Sequence, residues 1–209
     1  MSVSIVSRSQ LTRRPRRLDL VSEPLAPRHP RTFRLYYAAV LAASIAAFAW
    51  FTPQAGPVDP TAAVVVLLLM VLSEATAVPL PGGGYVSVGA VLDLACLLIL
   101  GPVYTAWFNV IATFVAQALV LRKPLVKVVH NMAIFGLTAF AAGWAFTASG
   151  GRVGQLDVAR DILALLACGG MYFLCNSILV STVVGLTTGP SIWRQWQRIF
   201  LDGLMHHLS

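Results

Sequence analysis

Residues 103–121 read Val-Tyr-Thr-Ala-Trp-Phe-Asn-Val-Ile-Ala-Thr-Phe-Val-Ala-Gln-Ala-Leu-Val-Leu, with Gly101-Pro102 before them and Arg122-Lys123-Pro124 after. A stretch of this length with no charge, closed by turn residues at one end and bases at the other, is one helical crossing of a bilayer, which takes about 20 apolar residues. The same pattern recurs on both sides. It predicts spans at Phe33 to Phe51, Thr61 to Val78 and Val86 to Leu100 before this one. After it come a span opened by Pro124 and ending near Ala148, and a last one from Asp161 to Thr187. The expected fold is all-α: a polytopic membrane protein with six transmembrane helices over residues 34–187. Composition points the same way. Hydrophobic residues make up 57% and charged residues 11%, against about 25% charged in soluble domains. That excludes an ordinary soluble enzyme and an intrinsically disordered chain.

Charge orients the spans. Of the 15 Lys and Arg residues, Arg8, Arg13, Arg14, Arg16, Arg17, Arg28, Arg31 and Arg34 fall within residues 1–34, opposed only by Asp19 and Glu23. With four prolines between Pro15 and Pro30 interrupting any helix, residues 1–33 are expected to be a disordered basic tail on the cytoplasmic face, touching anionic lipid rather than nucleic acid. Six crossings then place Arg122, Lys123, Lys127, Arg194 and Arg198 on that face too, and both termini are predicted cytoplasmic. In residues 188–209, Trp193, Trp196, Phe200, Leu204 and Leu208 recur at helical spacing. That predicts an amphipathic helix on the cytoplasmic face, either packed at the interface or passing motion to an output domain.

Polar side chains among apolar spans are costly, about 2.5 to 3.5 kcal/mol for a charge at mid-bilayer on insertion scales. They are therefore the informative residues. Glu74, Asp93, Gln117, His130 and Asn131 fall in the cytoplasmic half by residue count, Asn176 nearer the middle and Asn109 toward the outside. The functional reading is a ligand or switch cluster in which Glu74 and Asp93, on spans joined by one turn, face each other and share a proton. The structural alternative is interhelical hydrogen bonding. Ala38, Ala42 and Ala46 form a small-residue face on span one, suited to helix packing inside the chain or to a membrane partner or dimer mate. Pro81, Gly82, Gly83 and Gly84 read as one turn, and Gly101-Pro102 as another. Cys96, Cys168 and Cys175 have no metal-ligand spacing. No nucleophile or metalloprotease motif occurs, so neither catalysis, cofactor nor metal is expected.

Beyond these readings, the segment Val78-Pro79-Leu80-Pro81-Gly82-Gly83-Gly84-Tyr85-Val86-Ser87-Val88 leads to Leu100-Gly101-Pro102, then to Arg122-Lys123-Pro124, His130-Asn131-Met132-Ala133 and Tyr172-Phe173-Leu174-Cys175-Asn176. Over about residues 60–200 this resembles the polytopic membrane sensor domains found N-terminal to bacterial GGDEF diguanylate cyclases and HD-GYP phosphodiesterases. Glu74, Pro81, Gly101, Pro102, Asn131 and Asn176 occupy the matching positions. The resemblance implies a bacterial inner-membrane input module for signal transduction in cyclic-di-GMP signalling. It also implies a cytoplasmic enzyme after the last span. No GGDEF, HD-GYP or kinase motif is found before Ser209, so the expectation is an input module without its own catalytic output domain, acting as part of a longer chain or through a signalling partner. A rival expectation is transport. In size and in the alanine ladder of span one, the chain resembles the six-helix substrate-binding subunit of energy-coupling-factor vitamin importers.

Overall fold

The computed structural model describes residues 30–76, 78–79, 85–86 and 88–188. The basic tail up to residue 29, the turn residues Pro81 and Gly82 to Gly84, and the expected helix at 191–208 lie outside the described residues.

Among the described residues six α-helices follow one another: α1 (Pro30–Phe51), α2 (Pro60–Ala75), α3 (Gly89–Leu100), α4 (Pro102–Thr113), α5 (Leu125–Ala148) and α6 (Ile162–Thr188). A two-residue antiparallel ladder joins α2 to α3. Its strands are β1 (Val78–Pro79) and β2 (Tyr85–Val86), with Val78 opposite Val86. Four of the six expected spans are long and apolar enough to cross a bilayer: Pro30–Gln54, Pro102–Val120, Leu125–Ala148 and Ile162–Thr187. The other two are shorter than expected. α2 stops at Ala75 rather than Val78, and α3 starts at Gly89 rather than Val86, leaving 16 and 12 residues. At 1.5 Å per residue these measure about 24 and 18 Å, less than a bilayer core of about 30 Å. α1 begins at Pro30, so residues 30–33 belong to the first helix and not to a tail.

Local chemistry sets the helix ends. Asp59 caps α2 by accepting the Ala62 N–H at 2.8 Å, with Pro60 in the first turn, where its missing N–H costs nothing. Gly101, at φ +93°, turns α3 sharply into α4. α4 runs into a π-helical turn over Phe114–Val120. It ends where Arg122, at φ +51°, lets the Lys123 N–H reach back to the Gln117 carbonyl at 2.8 Å. That bond reaches one residue further back than the closing bond of an ordinary left-handed helix cap, as the wider π turn requires.

α4 and α5 form the centre, with half of their membrane-length windows buried, whereas α1 is 11% buried by the same measure. Small residues allow the close crossing of the central pair: Ala106 on α4 meets Ala139 on α5 within one apolar cluster. A Cβ at Gly143 would lie 2.3 Å from the Pro102 ring. Phe48 and Phe51 of α1 pack on Phe140 at ring-centroid distances of 5.1 and 4.9 Å. A second cluster joins Leu97 of α3, Ala142 and Phe146 of α5, and Ala164 and Cys168 of α6. The outer surfaces are apolar, with Leu35, Ile45, Val64, Leu68, Leu72, Leu163 and Leu166 all exposed, as lipid contact requires.

Among the described residues, the alanine face stays exposed. Ala38, Ala42 and Ala46 are exposed, and α1 docks through Tyr36, Val40, Ser44 and Phe48 instead. These larger side chains bury more apolar area than alanines can.

Candidate functional site

The polar residues of the helices meet in the interior. Gln117, buried within the π turn, donates from Nε2 to Glu74 Oε1 of α2 at 2.5 Å. Its Oε1 accepts from Asn131 Nδ2 of α5 at 2.8 Å. Gln117 therefore bridges two helices that flank it, using both ends of one amide. A π turn widens the helix and reorients a side chain in this way, and such turns occur often at functional sites.

Beside this chain lies a cavity of about 320 Å³ between α2, α3, α4, α5 and α6. Its polar lining comprises Glu74, Asp93, Asn109, Thr113, Tyr172 and Asn176. Met70, Ala112 and Phe135 supply apolar walls. Asp93 is 5% exposed, and its Oδ2 accepts a hydrogen bond from the Tyr172 hydroxyl. Glu74 and Asp93 thus line one cavity, yet each is held by its own neutral donor rather than by the other. Asn109 Nδ2 and Asn176 Oδ1 are buried and complete no hydrogen bond.

Of the residues expected to cluster, Glu74, Asp93 and Asn176 line the cavity, and Gln117 and Asn131 form the adjoining chain. His130 goes elsewhere. Its ring stacks on Tyr37 at 5.4 Å and lies tilted to Tyr36 at 5.7 Å, in the seam between α1 and α5. The two tyrosines also fasten α1 to the bundle: Tyr36 donates to the Leu179 carbonyl at 2.7 Å and Tyr37 to that of Val126 at 3.1 Å. Asn131, one residue on and about 100° around the helix, faces the chain instead. Asn109, expected apart from the cluster, lines the cavity.

Sequence reasoning missed Tyr172 and Thr113, although the signal was present. Cavity residues recur in i, i+4 pairs on one face of each helix: Met70 and Glu74, Gly89 and Asp93, Asn109 and Thr113, Tyr172 and Asn176.

At the end of the bundle that carries Arg122, the Lys123 ammonium is near enough to feel the charge of Glu74. Burial lowers its pKa below the ordinary lysine value, and Glu74 partly opposes that shift. At the other end, a groove of about 710 Å³ is lined by Phe51, Tyr104, Phe140 and Trp144, with Gln54 and Asp59 as polar members.

The MASE9 family model matches residues 25–206. The chain belongs to the MASE9 family of membrane-associated sensor domains. The match covers every helix described above, so the cavity and the Asn131–Gln117–Glu74 chain both lie within the MASE9 unit. Membership makes the chain a membrane sensor domain, for which a non-catalytic role is the natural one. No curated protein and no solved structure matches the chain.

Proposed function

We propose that this chain is an integral-membrane sensory input module of the bacterial inner membrane, with the polar cavity as its sensing element. One observation carries the reading. Two carboxylates, two asparagines and a tyrosine surround a cavity inside otherwise apolar helices, where such groups are costly unless they serve a purpose. Occupation of the cavity repositions Glu74. Through Gln117 and Asn131 that shift reaches α5, and through Tyr172 and Asn176 it reaches α6. The two helix routes lead to the cytoplasmic face, where a signalling partner or a further domain of the diguanylate cyclase or phosphodiesterase class reads the state. This requires two packings that bind the signal with different affinity. The module itself performs no chemistry and holds no cofactor.

The test is a reporter fusion. With an output domain joined after residue 209, Glu74→Gln and Gln117→Leu are expected to shift the basal output while leaving membrane insertion intact. Unchanged output in both variants would refute the cavity as the sensing element.

The importer-subunit reading draws on two other observations. Ala38, Ala42 and Ala46 are exposed on α1, as a docking face would be, and the aromatic groove at the far end is large enough for a small molecule. Co-purification of the native protein with an ATPase pair would favour this reading over the sensor.

A further inference from the structure

The chemistry of the cavity narrows what it binds. Among the described residues, its lining holds two carboxylates and no lysine, arginine or histidine. Glu74 is accounted for, because Gln117 donates to it and Lys123 feels its charge from outside the cavity. Asp93 is deeper and completes one hydrogen bond, from the Tyr172 hydroxyl, with the Asn109 amide nearby. A buried carboxylate that carries its charge needs a partner, and among the described residues no cation lines the cavity. Asn109, 5% exposed, adds a second sign: its Nδ2 donor lies buried at the cavity, near Asp93, and completes no hydrogen bond. Asn176 Oδ1 is a buried acceptor in the same state. A ligand that satisfies all three carries one positive charge, at least one N–H or O–H donor, and an oxygen acceptor.

Other ligand classes fit less well. An anion would meet two carboxylates. The volume equals that of about ten waters at roughly 30 Å³ each, more than a bare metal ion fills. Among the described residues, no group of three or more His, Cys, Asp and Glu side chains is placed to hold a metal. Tyr172 and Phe135 add aromatic wall, which attracts organic cations.

We propose that the cavity binds a small organic monocation, an amine that also carries a hydroxyl or carbonyl oxygen. Its ammonium pairs with Asp93 and its oxygen accepts from Asn109. This rests on the reading of the cavity as the sensing element and names the class of signal it takes.

The experiment uses the full chain in lipid nanodiscs, titrated calorimetrically with ethanolamine hydrochloride, 3-amino-1-propanol hydrochloride and glycinamide hydrochloride. Ethylene glycol serves as the uncharged comparison and sodium chloride as the inorganic one. At least one amine is expected to bind saturably, and ethylene glycol and sodium are not. Asp93→Asn should weaken the amine about tenfold or more, the loss of one charge pair. Asn109→Ala keeps both carboxylates, should weaken it several-fold, and decides the matter if Asp93→Asn fails to fold. The proposal is overturned if no amine saturates the wild-type protein at tens of millimolar, if sodium competes equally, or if a folded Asp93→Asn or Asn109→Ala variant binds like wild type. The reporter fusion separates the two levels. Cavity variants that shift output without any amine binding sink the ligand class alone. Amine binding at Asp93 with no change in output upholds the site and sinks the sensing role.

Discussion

Replacing Gln117 with Leu keeps the side-chain size and removes both ends of the amide. Two hydrogen bonds are lost at once, to Glu74 and from Asn131. Interhelical hydrogen bonds in membrane proteins average about 0.6 kcal/mol and reach about 1.7. The pair therefore predicts a loss of about 1 to 3 kcal/mol. The upper part of that range applies when Glu74 is ionised, because a charged acceptor strengthens its bond. The assay is reversible unfolding in mixed micelles, titrated with sodium dodecyl sulfate and followed by tryptophan fluorescence. Asn131→Leu is measured alone and on the Gln117→Leu background. Once Gln117 is gone, Asn131 has lost its acceptor, so the second substitution should cost less there than in the wild type. Two results would refute the reasoning: a Gln117→Leu loss below about 0.5 kcal/mol, or additivity of the two substitutions within about 0.3 to 0.5 kcal/mol.

Three more expectations concern packing, backbone and charge. Gly143→Ala should destabilise by about 1 to 3 kcal/mol, since its Cβ meets the Pro102 ring at 2.3 Å; Gly136→Ala meets only the tip of Phe48 at 2.7 Å and should cost less, and equal losses in the same unfolding assay would contradict this. Arg122→Gly should stabilise by about 1 kcal/mol by relieving a left-handed residue; an unchanged or lowered unfolding midpoint would contradict this. Lys123, its pKa lowered by burial, should lose its proton below the pH at which the unfolded chain does. Between those two values the unfolded chain binds more protons, so stability contributed by this residue rises with pH; the check is mass-spectrometric acylation across pH 7 to 10, where Lys123 should react at lower pH than it does in the denatured protein.

Much of the architecture was legible because bilayers impose a length. The runs ending at Phe51, Leu121, Ala148 and Thr187 gave four membrane-length helices directly. The second and third helices were drawn too long because hydropathy alone extends a run through Val78 and from Val86, residues that pair as short strands instead. Of the site, the carboxylates and amides stood out as polar residues in apolar surroundings, and they do converge. Two things were hidden. Tyr172 reads as an ordinary amphipathic aromatic until its hydroxyl is seen beside Asp93. His130 and Asn131 are adjacent in sequence but point to different neighbours, and only the rotation of α5 against α1 and the π turn decides which one joins the cluster.

The π turn has a consequence for how the chain tolerates insertion and loss. Each π turn holds one residue more than an α turn would. Deleting one residue between Phe114 and Val120 would let the helix close its ordinary ladder. The helix on either side would keep its facing, but Gln117 and its neighbours inside the turn would be re-aimed against the Asn109–Thr113 face. Every residue type at the cavity would be unchanged, yet the amide would no longer stand between Glu74 and Asn131. At this point the chain is governed by residue count rather than by residue identity, and a one-residue gap there would break the Asn131–Gln117–Glu74 hydrogen bonds more surely than most substitutions.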